Sequence, residues 1–121
     1  MKTEQLVDLA TEALDALKGT DITVIDISTK SSIADAMMVA TGTSKRHVRS
    51  MAESVRQSAK EANHPPLGFE GGDSSDWILV DLGDVIVHVM TSEKRDFYAL
   101  EKLWSVGPDD NEKQPSMLGA V

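Results

Sequence analysis

Over residues 3–18 the apolar positions Leu6, Leu9, Ala10, Ala13, Leu14 and Leu17 recur at spacings of three and four. That period predicts an amphipathic helix, with Glu4 early, Lys18 late and Gly19 placed to end it. A β-branched run over residues 22–27, interrupted by Asp26, predicts a strand that exits into the polar loop STKSS. The run AMMVAT over residues 36–41, bounded by Asp35 and Gly42, is a second strand on length, although its methionines and alanines also suit a helix. Helical spacing returns over residues 43–62, with Val48, Met51, Ala52, Val55, Ala59 and Ala62 on one stripe and Thr43 or Ser44 as the cap. The Pro- and Gly-rich segment 63–75 (NHPPLGFEGGDSS) is a connection, with a short edge strand over residues 67–70.

The chain is organised around residues 77–104, which hold both tryptophans. Two apolar runs, 77–82 and 85–91, flank Gly83-Asp84, and a Gly-Asp pair between such runs signals a two-residue hairpin turn. This loop length sets Leu82 against Val85, Val80 against Val87 and Ile78 against Val89, so that one side of the hairpin is aliphatic core. The other side carries Trp77, Leu79 and Asp81 against Ile86, His88 and Met90, a mixed surface suited to a partner or, for Leu79 and Ile86, to burial under a helix. Asp81 and His88 are diagonal neighbours, where a structural hydrogen bond and chemistry are both open readings. Thr91 or Ser92 can cap a last helix with Glu93 in its first turn and Phe97, Leu100 and Trp104 as the stripe on the sheet. Tyr98 and Glu101 fall on its flank and could extend the mixed face. The order of elements predicts an α/β fold with a mixed sheet of about five strands. Residues 1–105 form one domain and residues 106–121, with two prolines and no apolar period, a flexible tail.

A chain of 121 residues is one domain with a real core. Its net charge of -8 argues against broad binding to nucleic acid or anionic membrane and favours a basic partner. With no cysteine there is neither a disulfide framework nor a thiolate metal site. The start MKTEQLVDLA lacks an apolar signal core and no run approaches the ~20 apolar residues of a membrane span, so a cytosolic protein is expected.

Within this acidic chain the second helix is unusual, because Lys45, Arg49, Arg56 and Lys60 line one edge with only Glu53 among them. Cations in the first turn oppose the helix dipole, so this edge is either a solvated face or meets an acidic neighbour, a second copy or a phosphate. The segment TGTSKRH over residues 41–47 could hold an anion at a helix start, but it is neither a Walker A nor a GxGxxG pattern, and capping alone accounts for it. A metal would draw on Asp81, Asp84 and His88, which do not obviously converge. His47 and His64 read as surface residues rather than general bases.

The segments ADAMMVATGTSKRHV over 34–48, PLGFEG over 66–71 and DWILVDLGDVIVHVM with RDFYALEKLW resemble the ribosomal silencing factor family, also called Iojap-like, over nearly all of residues 1–105. The resemblance implies an α/β domain related to nucleotidyltransferases but without their paired acidic strand motif. It implies a non-catalytic translation regulator with no cofactor. Such a factor binds a basic protein on the intersubunit face of the large ribosomal subunit, the universal protein numbered fourteen, and blocks joining of the small subunit when nutrients are scarce. On this reading Trp77, Asp81, His88, Tyr98 and Glu101 meet that partner, while Lys45, Arg49, Arg56 and Lys60 serve a homodimer or approach ribosomal RNA. The competing expectation is a small nucleotidyltransferase-like or phosphohydrolase enzyme using the TGTS helix start with Asp81 and Asp84.

Overall fold

The computed structural model describes residues 1–72 and 74–98, and of residues 96–98 the backbone alone. Helix α1 (Thr3–Ala16) buries Leu6, Ala10, Ala13 and Leu14, the stripe its period predicts. It stops short of the expected end because Lys18, rather than Gly19, takes the left-handed conformation, with φ 61°. The Lys18 amide donates to the Asp15 carbonyl at 2.9 Å and the Gly19 amide to the Leu14 carbonyl at 2.9 Å, the paired bonds of a Schellman cap. Gly19 serves space instead: a Cβ there would lie 3.0 Å from the Leu14 carbonyl oxygen and 2.6 Å from Met51 Cε. A lysine side chain in the left-handed region costs about 1 kcal/mol relative to glycine. Lys18→Gly is therefore expected to raise the unfolding free energy by about that amount, read as a higher thermal midpoint. Helix α2 (Lys45–Glu61) ends in the same way, with Asn63 at φ 60° and the His64 amide on the Ala59 carbonyl at 2.8 Å.

Five strands, β1 (Thr20–Asp26), β2 (Ala36–Gly42), β3 (Gly68–Glu70), β4 (Trp77–Asp81) and β5 (Val85–Thr91), form one sheet in the order β1-β2-β5-β4-β3. Only β2 and β5 run parallel, so the sheet is mixed as the sequence predicts. Every residue of β2 is buried. That explains why AMMVAT has no alternation, since a central strand covered on both faces needs none. Between β4 and β5 the register is the predicted one, with Ile78 opposite Val89 and Val80 opposite Val87. The Leu82 amide closes the turn on the Val85 carbonyl at 2.9 Å, and Gly83 supplies the positive φ of 92° at its first central position. The carbonyl of Asp84 then accepts the amides of Asp35 and Ala36 at 2.8 and 3.1 Å, which fixes the hairpin tip to the start of β2.

Both helices lie on one face of the sheet. There Leu6, Leu14, Met51 and Val55 pack with Met38, Ile78, Val80, Val87 and Val89. The opposite face carries a second apolar cluster of Ile27, Ala34, Met37, Val39, Ile86 and Met90, with Ile25, Trp77 and Leu79 half-buried against it. Helix α3 (Ser92–Tyr98) follows β5 directly, and Thr91 Oγ1 lies 3.5 Å from the Lys94 amide at its start. The expected packing of Phe97, Leu100 and Trp104 on the sheet, and the domain end at residue 105, lie outside the described residues.

Candidate functional site

The β4–β5 hairpin divides the second face into a closed half and an open half. Alternation along β5 turns Ile86, His88 and Met90 to this face, and all three are 0 % exposed. Along β4 it turns Trp77, Leu79 and Asp81 the same way, and these stay half-buried. The expected mixed surface is thus present in register, but only its β4 strip reaches solvent.

Trp77 is held from beneath. Its Nε1–H donates to His88 Nδ1 at 2.9 Å, and the two rings meet edge to face with centroids 5.6 Å apart. Because Nδ1 accepts, the neutral imidazole carries its proton on Nε2, which finds no hydrogen-bond partner among the described residues. Burial pushes the His88 pKa down to about 4, so near neutral pH the ring is uncharged and keeps the lone pair that Trp77 needs.

Two expectations are corrected here. His88 does not present itself to a partner, because no part of it is accessible. Nor does it bond Asp81: it stands opposite Leu79, with Trp77 and Asp81 on its two diagonals, and Trp77 takes it. The twist of a strand pair makes the two diagonals unequal. Asp81 is in any case committed, since its Oδ1 accepts the Gly83 amide at 2.8 Å and braces the turn. Tyr98 ends α3, and its side chain lies outside the described residues, as does Glu101 altogether.

Other candidates resolve into structural roles. Among the described residues no group of three or more His, Cys, Asp or Glu is placed to share a metal, and Asp84 sits exposed in the turn, away from the buried His88. The TGTSKRH segment caps and ties: Ser44 Oγ accepts the His47 amide at 3.1 Å, and the Thr43 amide donates to His47 Nδ1 at 2.9 Å. His47 Nε2 then donates to the Leu17 carbonyl at 2.6 Å, which joins the start of α2 to the end of α1. The hollow beside it is lined by Lys45 but also by Asp76 and Glu93, carboxylates that repel an anion. His64 likewise ties a loop, with Nε2 on the Leu82 carbonyl at 2.8 Å. On the basic edge of α2, Lys45 approaches Asp76 at 3.6 Å. Arg56 lies 3.3 Å from Glu53 and stacks 4.7 Å over the Phe69 ring, whereas Lys60 is exposed.

Arg95 is the organising residue that sequence reading missed. Its Nη1 donates to the Asp21 carbonyl and to Thr41 Oγ1 at 3.0 Å, and its Nη2 to Thr23 Oγ1 at 2.8 Å. These partners lie 54 to 74 residues away in the chain, so no local pattern announces them. The guanidinium fork binds the first turns of α3 to β1 and β2. With hydrogen bonds to charged groups contributing about 1.5 kcal/mol or more each where water is excluded, Arg95→Ala is expected to lower stability by about 2 kcal/mol at this part-exposed site. Amide exchange across residues 92–98 should accelerate more than exchange in β5.

The chain is therefore a small mixed-sheet α/β domain, with one face closed by two helices and a half-open aromatic strip on the other. The family model described as ribosomal silencing factor during starvation matches residues 1–119. A ribosomal silencing factor of Haemophilus influenzae is 49% identical over 100 residues, covering 83% of this chain and 98% of that protein. One from Bacillus subtilis is 35% identical, covering 89% and 92%. A crystal structure of a Chromobacterium violaceum protein superposes with a TM-score of 0.83 at 44% identity, covering 88% of this chain and 95% of that one. The chain belongs to the ribosomal silencing factor family.

Proposed function

We propose that this chain regulates translation by occupancy: it binds the large ribosomal subunit through the basic universal protein numbered fourteen on the intersubunit face and excludes the small subunit when nutrients are scarce. The observation that carries the reading is Trp77, a half-open indole locked in place by a buried neutral His88, beside Leu79 and the acid Asp81. Rigid aromatic anchors with adjacent charge are what interface hot spots are made of. The names of its relatives support a ribosome-bound regulator rather than an enzyme. A mouse relative, 31% identical over 88% of this chain and 48% of its own length, is named for mitochondrial assembly of the large ribosomal subunit, which supports a part in subunit maturation as well.

On this reading His88 acts through Trp77, while Trp77, Asp81, Tyr98 and Glu101 meet the partner. The chain works in the cytosol without a cofactor. Two copies associate, and the exposed Lys60 and neighbouring cations of α2 face the second copy or ribosomal RNA. Sedimentation with purified subunits tests the proposal. The chain should travel with large subunits, not small ones, and should suppress their joining when added before mixing. Travel with neither would overturn it.

A further inference from the structure

On the helix-covered side of the sheet, away from Trp77, α1 and the outer strand β1 leave a groove of about 550 Å³ between them. Val7, Val24 and Ala36 give it an apolar floor, and Glu4, Asp8, Asp26 and Asp35 edge it, with no basic residue in its lining among the described residues. Val24 is 47% exposed, a large apolar side chain left open on an edge strand.

The acids are set rather than scattered. Glu4 and Asp8 are one turn apart on α1, and Asp35 is positioned by the Thr3 hydroxyl at 2.9 Å. Asp26 accepts from the Ser28 hydroxyl and amide at 2.6 and 2.9 Å, bonds that hold its carboxyl below the usual range. Val24 and Asp26, two residues apart, point to the same side as Met38 and Ala36 opposite them, into the groove.

β1 ends the sheet, so its outer backbone groups meet no further strand among the described residues. At its N-terminal end a bulge with Asp21 at φ 49° and the Arg95 fork obstruct pairing, which leaves residues 24–26 open. An open edge takes an added strand, with backbone bonds for affinity and alternate side chains for selectivity.

We propose that the α1–β1 groove captures an extended cationic segment of a partner protein, which adds to the edge of β1 and, at the every-second positions that face the groove, sets an aliphatic residue over Val7 and Val24 and Lys or Arg against Glu4, Asp8, Asp26 and Asp35. Charge selects this occupant over two others. A second copy paired edge to edge would bring these carboxylates against their own kind. The chain's own residues 106–121 carry Asp109, Asp110 and Glu112 against a single Lys113, so they too are repelled. Lysine-rich extended arms match on both counts.

The probe is a labelled, end-blocked peptide nine residues long with Val and Lys in turn at its odd positions and Thr at its even ones, so that both kinds of side chain fall on one face of the strand, measured by fluorescence anisotropy with the full chain. It should bind, and binding should weaken at least tenfold in the double variant Glu4→Lys, Asp8→Lys, whose sites are exposed on α1. A sibling with two valines replaced by proline should bind at least tenfold more weakly, because it cannot complete the strand bonds. Backbone amide resonances of residues 24–26 should shift more than those of β3 at the opposite edge. Absence of binding, equal binding by the double variant or the proline peptide, or shifts spread over all acidic surfaces would each overturn the proposal. So would contacts between residues 106–121 and β1 in the free chain. None of these outcomes bears on large-subunit binding through Trp77, which is read by sedimentation.

Discussion

Replacing Trp77 with alanine is expected to weaken association with the large subunit by ~2 kcal/mol or more, about thirtyfold in Kd. The indole is half-open beside the buried Ile78 and opposite the buried Met90, and His88 fixes its orientation before any partner arrives. An anchor that is already ordered loses little entropy on binding, so most of its buried area counts toward affinity. Trp77→Phe keeps an aromatic surface but deletes the Nε1–H and leaves His88 Nδ1 without its donor. It should fall between wild type and alanine. Titration of purified large subunits with labelled chain reads the effect, and thermal melts of both variants separate lost contact from lost fold. If all three proteins bind alike, Trp77 is not at the interface.

The second large effect is in the pH dependence of stability. His88 titrates near 4 in the folded chain against about 6.5 unfolded, so the unfolded state takes up the proton first as the pH falls. The stabilisation from a neutral buried His88 is thus present in full above pH 6.5 and drains away between 6.5 and 4. Linkage puts the loss at about 2 kcal/mol between pH 7 and pH 5 and about 3 kcal/mol over the whole window. In His88→Asn the amide oxygen takes the place of Nδ1 as acceptor for Trp77 but cannot titrate. That variant should be less stable at pH 7, because it is smaller, yet lose less stability over the same window by the His88 share, since all other groups are common to both proteins. Urea unfolding at four or five pH values measures both slopes. Parallel curves would mean that His88 is not buried and neutral in the native chain.

Much of this molecule was legible in its local pattern. The helices, the five strands, the two-residue turn and the facing of Val80 on Val87 follow from periods of 3.6 and 2 and from a Gly-Asp pair. Each of these depends on residues within a few positions of one another. AMMVAT was ambiguous for a physical reason: a strand buried on both sides loses the alternation that distinguishes it. The open strip was half legible. Alternation placed Trp77, Leu79, Asp81, Ile86, His88 and Met90 on one face, but it carries no information on what covers that face.

The order of elements and the mixed sheet were thus determined by the sequence alone, since local propensity and burial pattern agree along the chain, and the family resemblance rested on its motifs. Tertiary structure alone decided that His88 turns to Trp77 and not to Asp81, and that Lys18 rather than Gly19 takes the left-handed cap while the glycine makes room for Met51. It also decided that Arg95 reaches back to Asp21, Thr23 and Thr41. In each case the choice lies between partners brought together by the fold, and a hydrogen bond or a steric contact is settled by distance in space, which spacing along the chain does not encode.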